Sequence, residues 1–182
     1  MAGAMNLERI AIVGTSCAGK STLARELSRR LGAPHVELDA LYWGPNWTAR
    51  SAEEFACSVE RATAGSTWIV DGNYSTVRPL VLERATTVIW LNLPLSTLLS
   101  RAVKRTFWRL ATRDRLFNGN REPVLGFLHS YWIPWWVLRT CGERQREYAE
   151  LLASPECGHL RVIEIRSSKE LAEVFAALER RQ

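Results

Sequence analysis

Residues 14–21 read Gly14-Thr15-Ser16-Cys17-Ala18-Gly19-Lys20-Ser21, which matches the pattern G-x-x-x-x-G-K-[ST]. An apolar run at residues 10–13 precedes this stretch, and Leu23, Leu27 and Leu31 follow it at helical spacing. The two glycines allow the backbone to wrap around an anion, so that successive N–H groups and the N-terminus of the next helix point at it. The order of strand, glycine-rich loop and helix therefore predicts a site that binds a nucleoside triphosphate.

The positions of this phosphate-binding loop have expected roles. Lys20 reaches the β- and γ-phosphates, and Ser21 places its hydroxyl on Mg²⁺, a hard ion that prefers oxygen ligands. Cys17 has two interpretations: a small side chain that fills the loop, which we favour, or a redox-sensitive thiol activated by the helix N-terminus. The expected nucleotide contacts are Gly14, Thr15, Ser16, Cys17, Ala18, Gly19, Lys20, Ser21 and Thr22.

The length of 182 residues fits one domain, spanning 1–182, and is too short for a helicase or a transporter ATPase with several modules. No N-K-x-D guanine-reading motif occurs, which favours a small phosphotransferase over a GTPase switch. The four cysteines show no C-x-x-C pair, so we expect free thiols and no structural metal. Because long apolar runs are missing, we expect no membrane span, no secretory leader and a cytoplasmic protein.

Strand and helix signals alternate along the chain, which predicts an α/β fold with a parallel sheet covered by helices on both faces. Ser51-x-x-Glu54 and Ser167-x-x-Glu170 are capping boxes that begin helices, the first of which runs to about residue 64. Pro94 begins a long helix with apolar residues at helical spacing. The predicted strands are residues 10–13, 35–38, 68–70, 87–93 and 160–165.

Functional side chains in such sheets gather at the carboxyl ends of the strands, where Asp39, Asp71 and Arg166 are expected. We predict that Asp71 binds Mg²⁺ together with Ser21, rather than only forming a turn before a glycine. Asp39 either accepts a proton from an acceptor hydroxyl or caps a turn, and the sequence leaves both interpretations open. Arg166 is assigned to ATP binding.

Positive charge is concentrated in residues 101–121, which hold seven basic side chains and one acid, whereas the whole chain carries only +5. Arg101, Arg105, Arg109 and Arg113 are spaced by four, so on a helix each adjacent pair would repel by ~0.2–0.5 kcal/mol. A bound triphosphate would offset this repulsion, which favours a lid that delivers arginines to the phosphates. The alternative is a solvated helix face with little energetic consequence.

An aromatic group follows the arginines. Basic and aromatic residues together suit single-stranded nucleic acid, and tryptophan is also typical of a membrane interface. We favour a third interpretation, in which the group packs the lid or holds an acceptor, because the segment is short and contains no recognised nucleic-acid motif. The group consists of Tyr131, Trp132, Trp135 and Trp136.

Four stretches together resemble the small P-loop kinases related to adenylate kinase, and most closely the branch named topology modulation proteins. They are the loop 14–21, the Leu38-Asp39-Ala40-Leu41 stretch with the tryptophans after it, residues 70–74 (VDGNY) and the Arg101/Arg105 pair. The resemblance covers nearly the whole chain. It implies a three-layer P-loop NTPase fold with a five-stranded parallel sheet, an acceptor-binding insertion near residues 40–64, a lid near 105–140 and ATP·Mg as donor.

The same resemblance implies roles for individual residues. Asp71 matches the aspartate of the D-G pair after the third strand, and Arg78 resembles the arginine that grips an acceptor phosphate. Arg101 and Arg105 resemble the paired arginines that stabilise the transferred phosphoryl group. No T-G-D-x-x-R stretch follows the second strand, and the acidic pair ending at Asp39 is closer to that of shikimate-type kinases, although the glycine triplet of that family is missing.

The sequence therefore predicts an ATP-dependent kinase that moves the γ-phosphoryl group of ATP·Mg to a small acceptor, a nucleoside monophosphate or a hydroxylated metabolite. Lys20, Arg101, Arg105 and Asp39 are the expected catalytic residues, and Asp39 and Arg78 position the acceptor. The alternative function is an ATP-binding and ATP-hydrolysing regulator that binds nucleic acid or a protein through the basic aromatic segment. Nothing in the pattern indicates an oligomeric state.

Overall fold

The structure is a computed structural model that describes residues 8–112 and 133–179. Five strands and seven helices follow one another along this part of the chain. In order they are β1 (Arg9–Gly14), α1 (Lys20–Leu31), β2 (His35–Glu37), α2 (Leu38–Tyr42), α3 (Ala52–Ala62), β3 (Trp68–Asp71), α4 (Arg78–Arg84), β4 (Thr87–Leu91), α5 (Leu95–Thr112), α6 (Ile133–Leu152), β5 (Arg161–Ile165) and α7 (Ser168–Glu179). Single 3₁₀ turns lie at Pro45–Trp47 and Pro155–Cys157.

The strands form one parallel sheet in the order β2-β3-β1-β4-β5. β1 lies at its centre, with Ile10 paired to Ile69 of β3 and to Thr87 of β4. This arrangement confirms the predicted α/β fold with a five-stranded parallel sheet. The loop after β1 therefore leaves the middle of the sheet at its carboxyl edge, where a ligand contacts residues from several strands.

Both faces of the sheet are buried, which is why the central strands read as continuous apolar runs. Ile10 and Ile12 face α1, where Leu23 and Leu27 are 1% exposed or less. The alternate residues of β1 face the second helical layer, together with Phe55 and Val59 of α3, Val81 and Leu82 of α4, and Tyr148 of α6. Helices thus cover the sheet on both sides, giving three layers.

The structure corrects several predicted boundaries. β2 ends at Glu37 rather than at residue 38, because Leu38 already begins the short helix α2, and β4 ends at Leu91 rather than at residue 93. α4 and α6 were not predicted, since α4 is short and α6 contains a glycine and a proline. The capping box at Ser51 is confirmed: the Glu54 N–H donates to Ser51 Oγ at 3.2 Å, and Ser51 N–H donates to the Glu54 carboxylate.

α5 and α6 pack against one another and carry exposed aromatic side chains: Phe107 and Trp108 on α5, Trp135 and Trp136 on α6.

In the described ranges, no helix is long and apolar enough to cross a membrane. Cys17, Cys57, Cys141 and Cys157 form no disulfide. The predicted lid residues 113–132, including Arg113, Tyr131 and Trp132, lie outside the described residues, as does the side chain of Arg109.

Candidate active site

The loop between β1 and α1 has the backbone of an anion-binding nest. Gly14, Cys17 and Gly19 all have positive φ values, of 139°, 64° and 99°. Such alternation of left-handed and ordinary residues turns successive N–H groups toward one point. Gly19 caps α1 without a side-chain hydrogen bond, so the first N–H groups of the helix remain open to an anion in front of them.

Lys20 lies across this loop rather than in solvent. Its Nζ donates to the carbonyl oxygens of Gly14 at 2.8 Å and Thr15 at 3.1 Å. Burial lowers the pKa of Lys20, and the nearby charges of Asp71 and Asp39 act in the opposite direction. The ammonium group is therefore held in place at the loop, at the position that the sequence pattern assigns to the phosphates.

A cleft of about 870 Å³ opens in front of the loop. It brings together predicted residues from five parts of the chain: Ser16, Cys17, Gly19, Lys20, Ser21 and Thr22 of the loop and α1, with Asp39, Asp71, Arg101 and Arg105. Six further residues line it that were not assigned to the site from sequence: Arg25, Glu37, Trp43, Trp47, Leu171 and Phe175. The other predicted loop residues, Gly14, Thr15 and Ala18, do not line the cleft.

Two carboxylates meet beside Ser21 at the carboxyl edge of the sheet. Glu37 and Asp71 are register partners on β2 and β3. Burial and the charge of Asp71 raise the pKa of Glu37, whereas a hydrogen bond with the Ser21 side chain lowers it. Asp71 is 2% exposed, and His35 Nε2 lies 3.2 Å from its Oδ2. The Ser21 hydroxyl and the carboxylates of Glu37 and Asp71 all line the cleft, and oxygen donors of this kind fit Mg²⁺.

Asp39 lies on α2 with one carboxylate oxygen fixed. The Tyr74 hydroxyl donates to Asp39 Oδ1 at 2.6 Å, and the side chain of Trp43 hydrogen-bonds to Tyr74 in turn. Burial and the charge of Asp39 raise the pKa of Tyr74, so this phenol remains a hydrogen-bond donor. The hydrogen bonds from Trp43 to Tyr74 and from Tyr74 to Asp39 thus orient a carboxylate that lines the cleft.

Two arginines of α5 line the cleft. Arg101 Nη1 donates to the Ala18 carbonyl at 2.8 Å, and its Nη2 donates to Ser168 Oγ at 3.1 Å, so it joins the loop to the start of α7. Arg105 lies one turn further along α5 and lines the cleft. Its Nε is buried without a hydrogen-bond partner in the described part of the chain, which suits an acceptor group supplied by a ligand.

Solved structures of other proteins resemble this chain over most of its length. A shikimate kinase from Acinetobacter baumannii in complex with shikimate is 18% identical, with a TM-score of 0.54 over 95% of this chain and 93% of its own. A gluconokinase from Sinorhizobium meliloti is 17% identical, with a TM-score of 0.53 over 96% and 93%. A deoxyadenosine kinase from M. mycoides is 15% identical, with a TM-score of 0.53 over 95% and 99%. The chain therefore shares its fold with these three solved structures. No protein-family model and no curated protein matches the sequence.

Two predicted site residues lie outside the cleft. Arg78 Nη1 is 2.6 Å from Glu147 Oε1, and its guanidinium lies 5.1 Å from the centre of the Tyr148 ring. Arg166 is exposed and pairs with Glu164 at 2.8 Å. The structure therefore does not bring either guanidinium to the phosphate-binding loop.

Sequence reasoning missed Asn73, whose side-chain amide forms two hydrogen bonds with the backbone of Gly14, the first glycine of the loop. We call this pair of hydrogen bonds the bracket. The Asn73 amide donates to the Gly14 carbonyl, and Gly14 N–H donates back to Asn73 Oδ1 at 3.4 Å. The Tyr148 hydroxyl donates to the same Oδ1 at 3.0 Å. The available signal was the position of Asn73, directly after the D-G pair at the carboxyl edge of the sheet.

We expect the substitution Tyr148→Phe to weaken ATP binding, and the substitution Asn73→Ala to weaken it more. The first removes one hydrogen bond to the bracket, and the second removes the bracket itself, so the losses should be about 1 kcal/mol and about 2 kcal/mol. Titration calorimetry with ATP·Mg measures both affinities, and circular dichroism checks that each variant folds. Equal affinity of Asn73→Ala and the unmodified protein would show that the bracket does not shape the loop.

Proposed function

We propose that this protein is a kinase that transfers the γ-phosphoryl group of ATP·Mg to a hydroxyl group of a small acceptor. The observation that carries this proposal is the composition of one cleft: the phosphate-binding loop with Lys20 faces Asp39, a carboxylate whose position is fixed by Tyr74. The neighbouring structures, which are kinases by name, support the same reaction class.

The donor occupies the part of the cleft between the loop and α7. Backbone N–H groups of the loop and Lys20 hold the phosphates, and Ser16, Cys17, Thr22 and Arg101 complete this region. Leu171 and Phe175 give it an apolar wall beyond Arg101, where the base of the nucleotide is placed. Arg166 is left out of this proposal because its guanidinium is paired with Glu164.

Ser21, Asp71 and Glu37 would hold the magnesium ion, which neutralises phosphate charge when bound. Burial and then the charge of Asp71 raise the pKa of Glu37, and a cation bound there would favour the ionised carboxylate. The ring of His35 keeps Oδ2 of Asp71 engaged.

The transfer itself follows from the positions of the side chains. Asp39 accepts the proton of the acceptor hydroxyl, whose oxygen forms a bond to the γ-phosphorus while the bond from that phosphorus to the oxygen of ADP breaks. Lys20 and Arg105 stabilise the charge on the transferring group, and Arg101 holds the loop against α7. The insertion near residues 40–64 binds the acceptor, and the segment near 105–140 acts as the lid.

The proposal is tested by measuring ADP release from ATP·Mg with a panel of nucleoside monophosphates, nucleosides and small hydroxylated metabolites. Acceleration by one acceptor, with a phosphorylated product identified by mass spectrometry, would establish a kinase. Slow ADP release that no acceptor changes would contradict the proposal and point to an ATP-hydrolysing binding protein.

We expect Arg105→Ala to lower kcat more than it weakens ATP binding, because the charge that this arginine meets develops mainly during transfer. The expected loss in kcat is about 10²-fold or more, with a change in ATP affinity of a few-fold. Lys104→Ala, an exposed neighbour on α5, is the matched control and should retain activity. Intact turnover of Arg105→Ala would remove this residue from the mechanism.

A further inference from the structure

Lys20 is held by the backbone of its own loop. Its Nζ donates to the Gly14 carbonyl at 2.8 Å and to the Thr15 carbonyl at 3.1 Å. An ammonium group has three N–H bonds in a tetrahedral arrangement, so fixing two of them also fixes the direction of the third. The positions of these two carbonyl groups therefore decide where the Lys20 ammonium group lies in the cleft.

The Gly14 carbonyl is itself fixed by hydrogen bonds that begin on α6. It accepts from the Asn73 side-chain amide as well as from Lys20, so both of its lone pairs are used. The oxygen of the same amide, Oδ1, accepts from the Tyr148 hydroxyl at 3.0 Å and from Gly14 N–H at 3.4 Å. Because two donors meet the amide at its oxygen, its N–H group is left facing the Gly14 carbonyl.

Arg78 helps to set the direction of the Tyr148 hydroxyl. Its guanidinium lies 5.1 Å from the centre of the Tyr148 ring, forms a hydrogen bond with that side chain and pairs with Glu147 at 2.6 Å. A guanidinium only donates, so the Tyr148 oxygen accepts from Arg78 while its own hydrogen goes to Asn73. An arginine that the sequence assigned to an acceptor phosphate thus supports the amide that holds Gly14.

The Thr15 carbonyl is supported from the same helix. The Thr15 side chain is 3% exposed and forms a hydrogen bond with the side chain of Cys141, which is 1% exposed on α6. The Thr15 carbonyl also accepts from Ala18 N–H at 3.2 Å, so this residue is held at its side chain and at its backbone. Cys141 therefore supports the second carbonyl as Tyr148 supports the first.

Cys141 and Tyr148 share one face of α6. They are seven residues apart, which is two helical turns and about 10 Å along the helix axis. Neither is among the described residues that line the cleft. We propose that Cys141 and Tyr148 are positioning residues for Lys20, because from behind the loop they fix the two carbonyl groups that hold its ammonium group. The consequence for phosphoryl transfer rests on the proposed kinase function, whereas the placement of Lys20 does not.

Nuclear magnetic resonance of the lysine side chains tests this inference without any substrate. The chain contains three lysines, Lys20, Lys104 and Lys169, so protein labelled with ¹³C at the lysine Cε gives three sets of signals. The set that is missing from Lys20→Met belongs to Lys20. We expect Cys141→Ala and Tyr148→Phe each to shift the Lys20 signals and to increase the mobility measured by relaxation. The signals of the other two lysines should stay unchanged.

Two further variants serve as controls. Cys141→Ser retains a hydroxyl that can bond to the Thr15 side chain, and it should restore most of the original Lys20 signal and mobility. Gln145→Ala removes a different hydrogen bond of α6, from Gln145 Nε2 to the Leu93 carbonyl at 3.2 Å, and should leave the Lys20 signals unchanged. Together these variants separate the two proposed contacts from a general loosening of the helix.

The affinity for ATP·Mg shows whether Tyr148 acts through Lys20. Titration calorimetry should find that Tyr148→Phe weakens this affinity about fivefold when Lys20 is present. In the Lys20→Met background the same substitution should weaken it less than about twofold, since no ammonium group is left to misplace. Equal losses in the two backgrounds would show that Tyr148 shapes the loop without acting through Lys20, and would overturn its assignment.

The outcomes distinguish the inference from the function on which its consequence rests. Unchanged Lys20 signals in both Cys141→Ala and Tyr148→Phe would overturn the inference, whatever the activity of the protein. Altered Lys20 signals without transfer to any acceptor would support the placement of Lys20 and contradict the proposed kinase function. Altered signals together with a loss of about fivefold in kcat/KM for transfer would support both.

Discussion

Replacing Lys20 with methionine should lower the rate of phosphoryl transfer by about 10²–10³-fold while the protein remains folded. The ammonium group donates to the carbonyl oxygens of Gly14 and Thr15, so it already lies at the loop where phosphate charge is expected. Methionine retains most of the apolar volume but brings no positive charge. The loss should therefore appear in kcat/KM, measured from ADP release in the presence of the best acceptor.

The control for this experiment is Lys169→Met. Lys169 lies on α7, its side chain is 87% exposed and its Nζ is 3.9 Å from Glu173. An exposed ion pair of this kind contributes little to the free energy of folding. The activity and stability of this variant should therefore both stay near those of the unmodified protein. Comparable loss in the two variants would show that the effect of Lys20→Met is not specific to the loop.

Replacing Gly14 with alanine should destabilise the fold by roughly 2–4 kcal/mol. Two effects combine. Gly14 has a φ of 139°, which a residue with a Cβ atom rarely adopts, and an added Cβ would lie 2.6 Å from the Leu91 carbonyl oxygen of the neighbouring strand. Because that oxygen belongs to the backbone of the sheet, relief requires β1 and β4 to separate. Urea denaturation measures the difference in free energy of unfolding.

Gly142→Ala provides the matched comparison. Gly142 lies within α6, and an added Cβ would meet nothing within 4 Å. This substitution should stabilise the protein by about 0.5–1 kcal/mol, since alanine loses less backbone entropy than glycine in a helix. Stabilities of Gly14→Ala and Gly142→Ala that differ by less than 1 kcal/mol would contradict the steric account of Gly14.

The parts of the fold that could be predicted from sequence are those specified by local pattern. The strand before Gly14, the helix after Lys20 and the capping box at Ser51 each depend on residues close together in the chain, and the structure contains all three. β2 was predicted one residue too long because Leu38 fits a strand as well as a helix. There the tertiary structure decided between two local preferences.

The contacts that complete the candidate site were harder to predict from sequence. Tyr74 reaches Asp39 over 35 positions, and Tyr148 reaches Asn73 over 75, so no local pattern indicates either pair. Arg78 was assigned from a resemblance in chain position, yet its direction depends on Glu147, which comes from a helix that was not predicted. Residue type and spacing located the glycine-rich loop and the helix after it, whereas the orientation of the other groups required the packed structure.

The bracket formed by Asn73 has a consequence for the order of events during synthesis. Gly14 is made early, but its partner Asn73 is itself held by Tyr148, which belongs to the last third of the chain. Ser168, which holds Arg101 against the loop, is made later still. A nascent chain that ends before α6 contains every residue of the glycine-rich motif without these supports. On the ribosome, competence to hold a nucleotide should therefore arrive near the end of translation.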